Sequence, residues 1–281
     1  MSGRFSRSLE LAKASFAVVR ADKELILLPV MSVFALIVIV LSLAVPVAVL
    51  GGFSTEAAQS EPLAMLGALI FYVVTYFVAL FFNAALVGAA MIRMDGGNPT
   101  LGDGLRIAWA RKGRILGYAL IAATVGLILR AIEERVGWLG SLVVKLIGVA
   151  WAVATFLVVP VLVTRDVGPV GAVKESAELL RSTWGENLIG NFGLGLVFML
   201  VYFAWIALGI GAVVVASKTG YVALIAGVVL VGVVGLLAIS ALQATMQGVY
   251  SAALYRHATR PEAPVPGFPP ELMANAFRVK G

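Results

Sequence analysis

Six stretches of this chain contain no Lys, Arg, Asp or Glu: residues 25–55, 62–92, 115–129, 146–164, 187–217 and 219–255. Nearly every charge sits in the short segments between them. A helix needs about 20 apolar residues to cross a hydrocarbon core of about 30 Å, at a rise of about 1.5 Å per residue. The longest runs exceed one crossing and fall short of two crossings plus a polar turn, so each is read as one helix that tilts or protrudes. In hydrocarbon every backbone N–H and C=O must be paired within the protein, and these unbroken runs lack the alternation of a barrel strand. Only 13% of the residues are charged and the mean hydropathy is +1.01. A soluble domain carries about 25% charged residues. The expected fold is therefore all-α, a polytopic membrane helix bundle of six transmembrane helices.

The run from Ile115 to Leu129 is short for a crossing, and the distribution of basic residues decides whether it crosses. With six crossings, 17 of the 21 Lys and Arg lie on the side of both termini. Arg130, Arg135, Lys145 and Lys218 lie opposite. Removing the third crossing dilutes that bias. The positive-inside rule then places both ends in the cytoplasm, with Arg130 reaching back to the outer headgroups. Residues 1–24 are expected as a cytoplasmic interfacial helix and 25–255 as the transmembrane domain. Within it the spans fall near 25–50, 63–92, 115–130, 146–164, 187–216 and 221–255. Residues 256–281 form a Pro-rich cytoplasmic tail, since Pro261, Pro264, Pro266, Pro269 and Pro270 preclude a continuing helix.

The first apolar run is too long for a signal-peptide core and is expected to stay as span one. Met-Ser-Gly is not a myristoylation start, and the chain has no Cys to acylate, to pair or to ligate a metal. The net charge of +6 follows from basic flanks beside the spans, where anionic headgroups attract them. No aromatic-interleaved basic platform points to nucleic acid.

The charged segments carry amphipathic patterns. Phe5, Leu9, Ala12, Phe16 and Val19 share one helical stripe, suited to lying on the bilayer surface. Val170, Val173, Ala177, Leu180 and Trp184 form a second stripe, opened by Pro169. A looser copy, Gly104 to Trp109, precedes span three. Three units of lead-in helix plus membrane hairpin, or three unrelated basic lead-ins, both fit this degenerate pattern. On the other side Ile132, Val136, Leu139, Val143 and Leu146 suggest a short outer interfacial helix. Phe5, Phe16, Trp109, Arg130, Trp138 and Trp184 are the expected interfacial anchors.

Inside the spans the polar signals coincide with small residues. Ser240, Ala244, Gly248 and Ala252 repeat at small-xxx-small spacing, which permits close helix approach. Beside them run Gln243, Gln247 and Ser251; Asn83 lies in span two, and Asn187 and Asn191 open span five. A polar track for a solute and interhelical hydrogen bonding both explain this set, and the coincidence with small residues favours the second. Catalytic motifs are absent, no ionisable residue falls in the middle of a span, and no cofactor or metal site is indicated. His257, the only histidine, stands among Arg256 and Arg260 at the inner end of span six.

Arg130-Ala131-Ile132-Glu133, the stretch from Ala150-Trp151 through Thr155-Phe156-Leu157-Val158-Val159-Pro160, and Lys174-Glu175-Ser176 through Thr183-Trp184-Gly185-Glu186 resemble a prokaryotic family of six-span membrane proteins of unknown function. The opening from Ser8-Leu9-Glu10-Leu11 to Lys23-Glu24-Leu25 is similar too. The lead-in-plus-hairpin units are also similar, more weakly, to the membrane domain of some bacterial glycerophosphodiester phosphodiesterases. The resemblance implies the cytoplasmic membrane of a prokaryote and carries over no catalytic residue. The expected role is a non-enzymatic scaffold or accessory subunit of a membrane complex, with lipids, a second copy or another membrane protein as partners. A carrier or channel for a lipid or uncharged solute is the alternative. An enzyme acting on lipid headgroups at the inner face is the third reading, with Asp95, Asp103 and Arg106 as its candidate residues.

Overall fold

The computed structural model describes Lys13 and residues 15–49, 61–184 and 193–260, and among these it is helical with no strand. Phe5, Asn187, Asn191, the Trp184 side chain and the tail after Arg260 lie outside the described residues. In chain order the helices are α1 (residues 15–21), α2 (Glu24–Val49), α3 (Glu61–Met94), α4 (Leu101–Ala110) and α5 (Lys112–Glu133). Next come α6 (Trp138–Ala154), α7 (Val158–Thr164), α8 (Pro169–Trp184), α9 (Gly193–Ser217) and α10 (Val222–Thr259). Six segments are long and apolar enough to cross a membrane: Glu24–Ser42, Leu69–Met94, Lys112–Glu133, Trp138–Thr164, Val197–Ser217 and Val222–Thr259. The chain is an all-α bundle in which a short helix precedes a pair of long ones three times.

The third crossing is longer than its uncharged run. Helix α5 takes in Lys112 to Arg114 at one end and Arg130 to Glu133 at the other, giving about 33 Å of helix at about 1.5 Å per residue. No separate outer interfacial helix follows it. The chain turns at Glu134–Gly137 and Trp138 already opens α6, so the stripe from Ile132 to Leu146 is divided between two spanning helices. Glu133 ties that hairpin, accepting a 3.0 Å hydrogen bond from Ser141 Oγ and pairing with Lys145 at 3.5 Å.

Span four is two helices rather than one. Pro160 has no N–H, and its ring clashes with the carbonyl of Phe156 in a continuous helix. The chain therefore breaks at Thr155–Leu157, and Pro160 falls in the first turn of α7, where its missing N–H costs nothing. The groups freed at the break find a partner on α8. Ser176 Oγ donates to Ala154 O at 2.7 Å and accepts from Leu157 N at 3.1 Å. The buried edge of α8 is accordingly Ala172, Ser176 and Leu180. Of the expected stripe, Leu180 is buried, Val173 and Ala177 are half-buried, and Val170 faces outward.

Helix α3 is the hub, packing on α2, α4, α5, α7 and α10. Its segment from Ala84 to Ala90 is buried all round, because small side chains let neighbours approach closely. A Cβ added at Gly104 of α4 would lie 2.6 Å from Ala85 O, and one at Gly88 would lie 3.0 Å from Ile107. Helix α3 then ends in a glycine-dependent turn. Gly96 takes φ +87, and Gly97 N bonds back to Ile92 O at 3.0 Å. Thr100 and Asp103 form a capping box that starts α4. The buried cluster lies toward the basic end of the bundle, around Leu28, Leu86, Val87, Ile115, Leu162, Val249 and Leu254. At the opposite end the α9–α10 hairpin is exposed from Leu208 to Val234 on most of its apolar side chains.

Candidate functional site

Along α10 the small-residue stripe draws the helix against α3. A Cβ at Gly248 would meet Leu86 Cδ2 at 2.5 Å and Asn83 Oδ1 at 3.6 Å. Contact does not continue to closure. A groove of about 430 Å³ opens between α2, α3 and α10. Helix α2 contributes Pro29, Ser32 and Val33, and α3 contributes Ala79, Phe82, Asn83 and Leu86. From α10 come Ser240, Ala241, Ala244, Gln247, Gly248 and Ser251, and Phe156, at the break in span four, completes the wall. Phe156 is fixed there edge-on to Tyr250, with ring centroids 6.2 Å apart.

Two of the lining serines, both on α10, are satisfied within the bundle, whereas the two lining amides are not bonded to any described residue. Ser240 Oγ donates to Leu236 O at 2.8 Å and shares a 2.9 Å hydrogen bond with Tyr202 OH of α9. Ser251 Oγ donates to Gly248 O at 2.9 Å. These serines serve helix packing. Asn83 and Gln247 are exposed into the groove, and neither side-chain amide has a hydrogen-bond partner among the described residues. Counted from the ends of the uncharged runs at residues 92 and 255, they lie about 12 to 14 Å along their helices, at about 1.5 Å per residue. That is deep inside a hydrocarbon core of about 30 Å. The described lining holds no ionisable side chain. Such a surface offers neutral donors and acceptors at a depth where water is scarce.

Of the expected polar track, Asn83, Ser240, Ala244, Gln247, Gly248 and Ser251 therefore meet in one place. Gln243 does not line it and is half-buried elsewhere on α10. Sequence reading missed the α2 wall and Phe156. Pro160, by requiring the break four residues upstream, was the available signal for the latter.

The expected anchors behave unequally. Trp138 and Phe16 are exposed. Trp109 packs edge-on to Phe81 at 6.3 Å and lies under Lys112 Nζ at 3.9 Å, with most of its surface still open. Arg130 pairs with Glu134 at 3.0 Å.

Several charges at the basic end are held in ion pairs. Asp166 pairs with Arg111 at 2.9 Å and also with Arg114. These two guanidiniums, Arg114 first, hold its carboxyl below the usual carboxylate range. Asp103 is bound to Thr100 and to Arg106 at 2.8 Å, whereas Asp95 pairs with Arg256. The three candidates for headgroup chemistry are thus engaged in two separate places. Among the described residues no group of three His, Asp or Glu side chains converges to hold a metal ion.

No curated protein and no solved structure matches the chain. Residues 63–264, which take in nearly all of α3 and everything through α10, match a described family. The match leaves out α1 and α2, and hence the Pro29 and Ser32 side of the groove, but it includes Asn83, the break in span four and Gln247. The chain belongs to the family of unknown function DUF6159.

Proposed function

We propose that this protein binds a neutral membrane amphipath, a lipid or an uncharged solute that partitions into the bilayer, in the groove between α2, α3 and α10. It carries or presents that molecule without catalysis of its own. The observation behind this reading is the pair of amides, Asn83 and Gln247, that face one cavity inside the spanning region with no partner among the described residues. An unpaired amide in an apolar medium costs about 2–7 kcal/mol. A ligand that supplies a carbonyl, ester or hydroxyl at that depth removes the cost. The break in span four beside the groove supports the same reading, because discontinuous helices commonly border sites in membrane carriers.

The test compares Asn83→Leu and Gln247→Leu with Gln243→Leu, whose side chain lies off the groove. Lipid retained through purification and solute flux into proteoliposomes should fall for the first two and stay unchanged for the third. Equal behaviour of all three variants and the parent protein overturns the proposal.

A scaffold or accessory role has its own support. A second cleft, about 470 Å³ and almost wholly apolar, lies on the α9–α10 hairpin. Open space stands over Gly209, Gly227 and Gly232 within it, which suits close approach by a helix of a partner or second copy. The chain has no native cysteine, so Gly227→Cys provides a unique crosslinking site. A discrete crosslinked species in membranes supports this role, and monomer alone counts against it. For location, the basic bias supports the cytoplasmic membrane with both ends in the cytoplasm. Reporters fused at the two ends should register the same compartment.

A further inference from the structure

The basic ends of α3, α7 and α10 border a further cavity, about 450 Å³, lined by Asp95, Thr164, Arg165, Tyr255, Arg256 and Arg260 among others. Three guanidiniums share it with one carboxylate. Arg256, its side chain only 12% exposed, pairs with Asp95, and Arg260 stands 4.0 Å from the same carboxylate. Arg165 Nε donates to Tyr255 OH at 3.1 Å and pairs with Glu175 at 3.3 Å. The hydroxyls of Thr164 and Thr259 already donate to Pro160 O and Tyr255 O. Arg256 Nε–H remains enclosed with no acceptor among the described residues. Three guanidiniums against one carboxylate leave the cavity with an excess of positive charge, which an anionic oxygen balances.

The depth of the cavity identifies that oxygen. The uncharged runs of spans two, four and six end at residues 92, 164 and 255, so the cavity lies where hydrocarbon gives way to headgroups. Guanidinium forks match phosphate oxygens, and basic pockets between spanning helices at this level suit anionic headgroups. We propose that this cavity binds the phosphate of an anionic phospholipid, as a site distinct from the amide-lined groove and independent of its function.

The full chain is placed in phosphatidylcholine nanodiscs with increasing phosphatidylglycerol, and each protein's thermal midpoint is read against its own value in pure phosphatidylcholine. The side chains of Arg165 and Arg260 are 53% and 69% exposed, so Arg165→Gln and Arg260→Gln should fold. Each should raise the phosphatidylglycerol fraction for half-maximal stabilisation about five-fold. Arg106→Gln, at the same end but outside the cavity, should leave it unchanged, and inorganic phosphate or glycerol phosphate should not substitute for the lipid. Absence of stabilisation, or an equal shift in all three variants, overturns the site. Equal stabilisation by soluble phosphate overturns the lipid as its source.

Discussion

Two carboxylates at the basic end answer pH in opposite directions. Asp22, just ahead of α2, is 7% exposed and its Oδ2 has no partner among the described residues. Burial raises its carboxyl above the ordinary value, against the opposing pull of Arg93. The fold thus favours the protonated form. That stability is complete below the unfolded value of about 3.9 and is lost as pH rises through the raised folded value. Thermal midpoints in detergent should decline across that window in the parent protein and stay level in Asp22→Asn. An Asn variant that tracks the parent contradicts this. Asp166, lowered by Arg114 and Arg111, works the other way. Its contribution is present above the unfolded value and is lost as pH falls through the lowered one. Being exposed, it contributes little through solvent screening. Neither behaviour was legible in sequence, because spacing along the chain does not show which groups are buried or which guanidiniums stand beside a carboxylate. Their difference comes from what packs around them.

For the helices, the decisive contacts are between backbone and very small groups. Ser176→Ala should leave Leu157 N–H and Ala154 O unpaired at the break in span four, costing about 1–3 kcal/mol. Chemical unfolding in mixed micelles would show it, and a cost near zero would mean the break closes without the serine. Gly104→Ala drives a methyl to 2.6 Å from Ala85 O, a backbone atom that cannot rotate away. It should cost about 1–3 kcal/mol as an overpacked substitution. Gly113→Ala, with nothing within 4 Å, should be silent or slightly stabilising in the same measurement. The small-residue stripe of α10 was readable from spacing. The exchange between Ser176 and span four was not, because it joins residues in different helices through a kink whose geometry only packing supplies.

Across the bundle, side chains are packed at the basic end and splay at the other. Leu254 is 0% exposed and Leu230, on the same helix, is 64% exposed. Lipid is as apolar as leucine, so truncation at Leu230 costs almost nothing. Leu254→Ala should cost about 2 kcal/mol, the lower end of the soluble range, because lost packing remains while transfer from water does not. Comparable costs at both positions would mean that the α9–α10 hairpin is covered by a partner in the membrane. That outcome would favour the scaffold role over the binding role.

The run of charges along the chain determined the helical class, the number of apolar crossings and the asymmetry between the two ends, because exclusion of ions from hydrocarbon acts residue by residue and needs no knowledge of neighbours. It also gathered Asn83, Gln247 and the small residues of α10 as one set worth attention. Only the tertiary structure decided that Ser240 and Ser251 are satisfied while the two amides have no partner among the described residues, that Gln243 turns away, and that Arg165, Arg256 and Arg260 line one cavity with Asp95. Hydrogen-bond satisfaction depends on which helix faces stand opposite one another, and side-chain spacing along a single helix does not specify that.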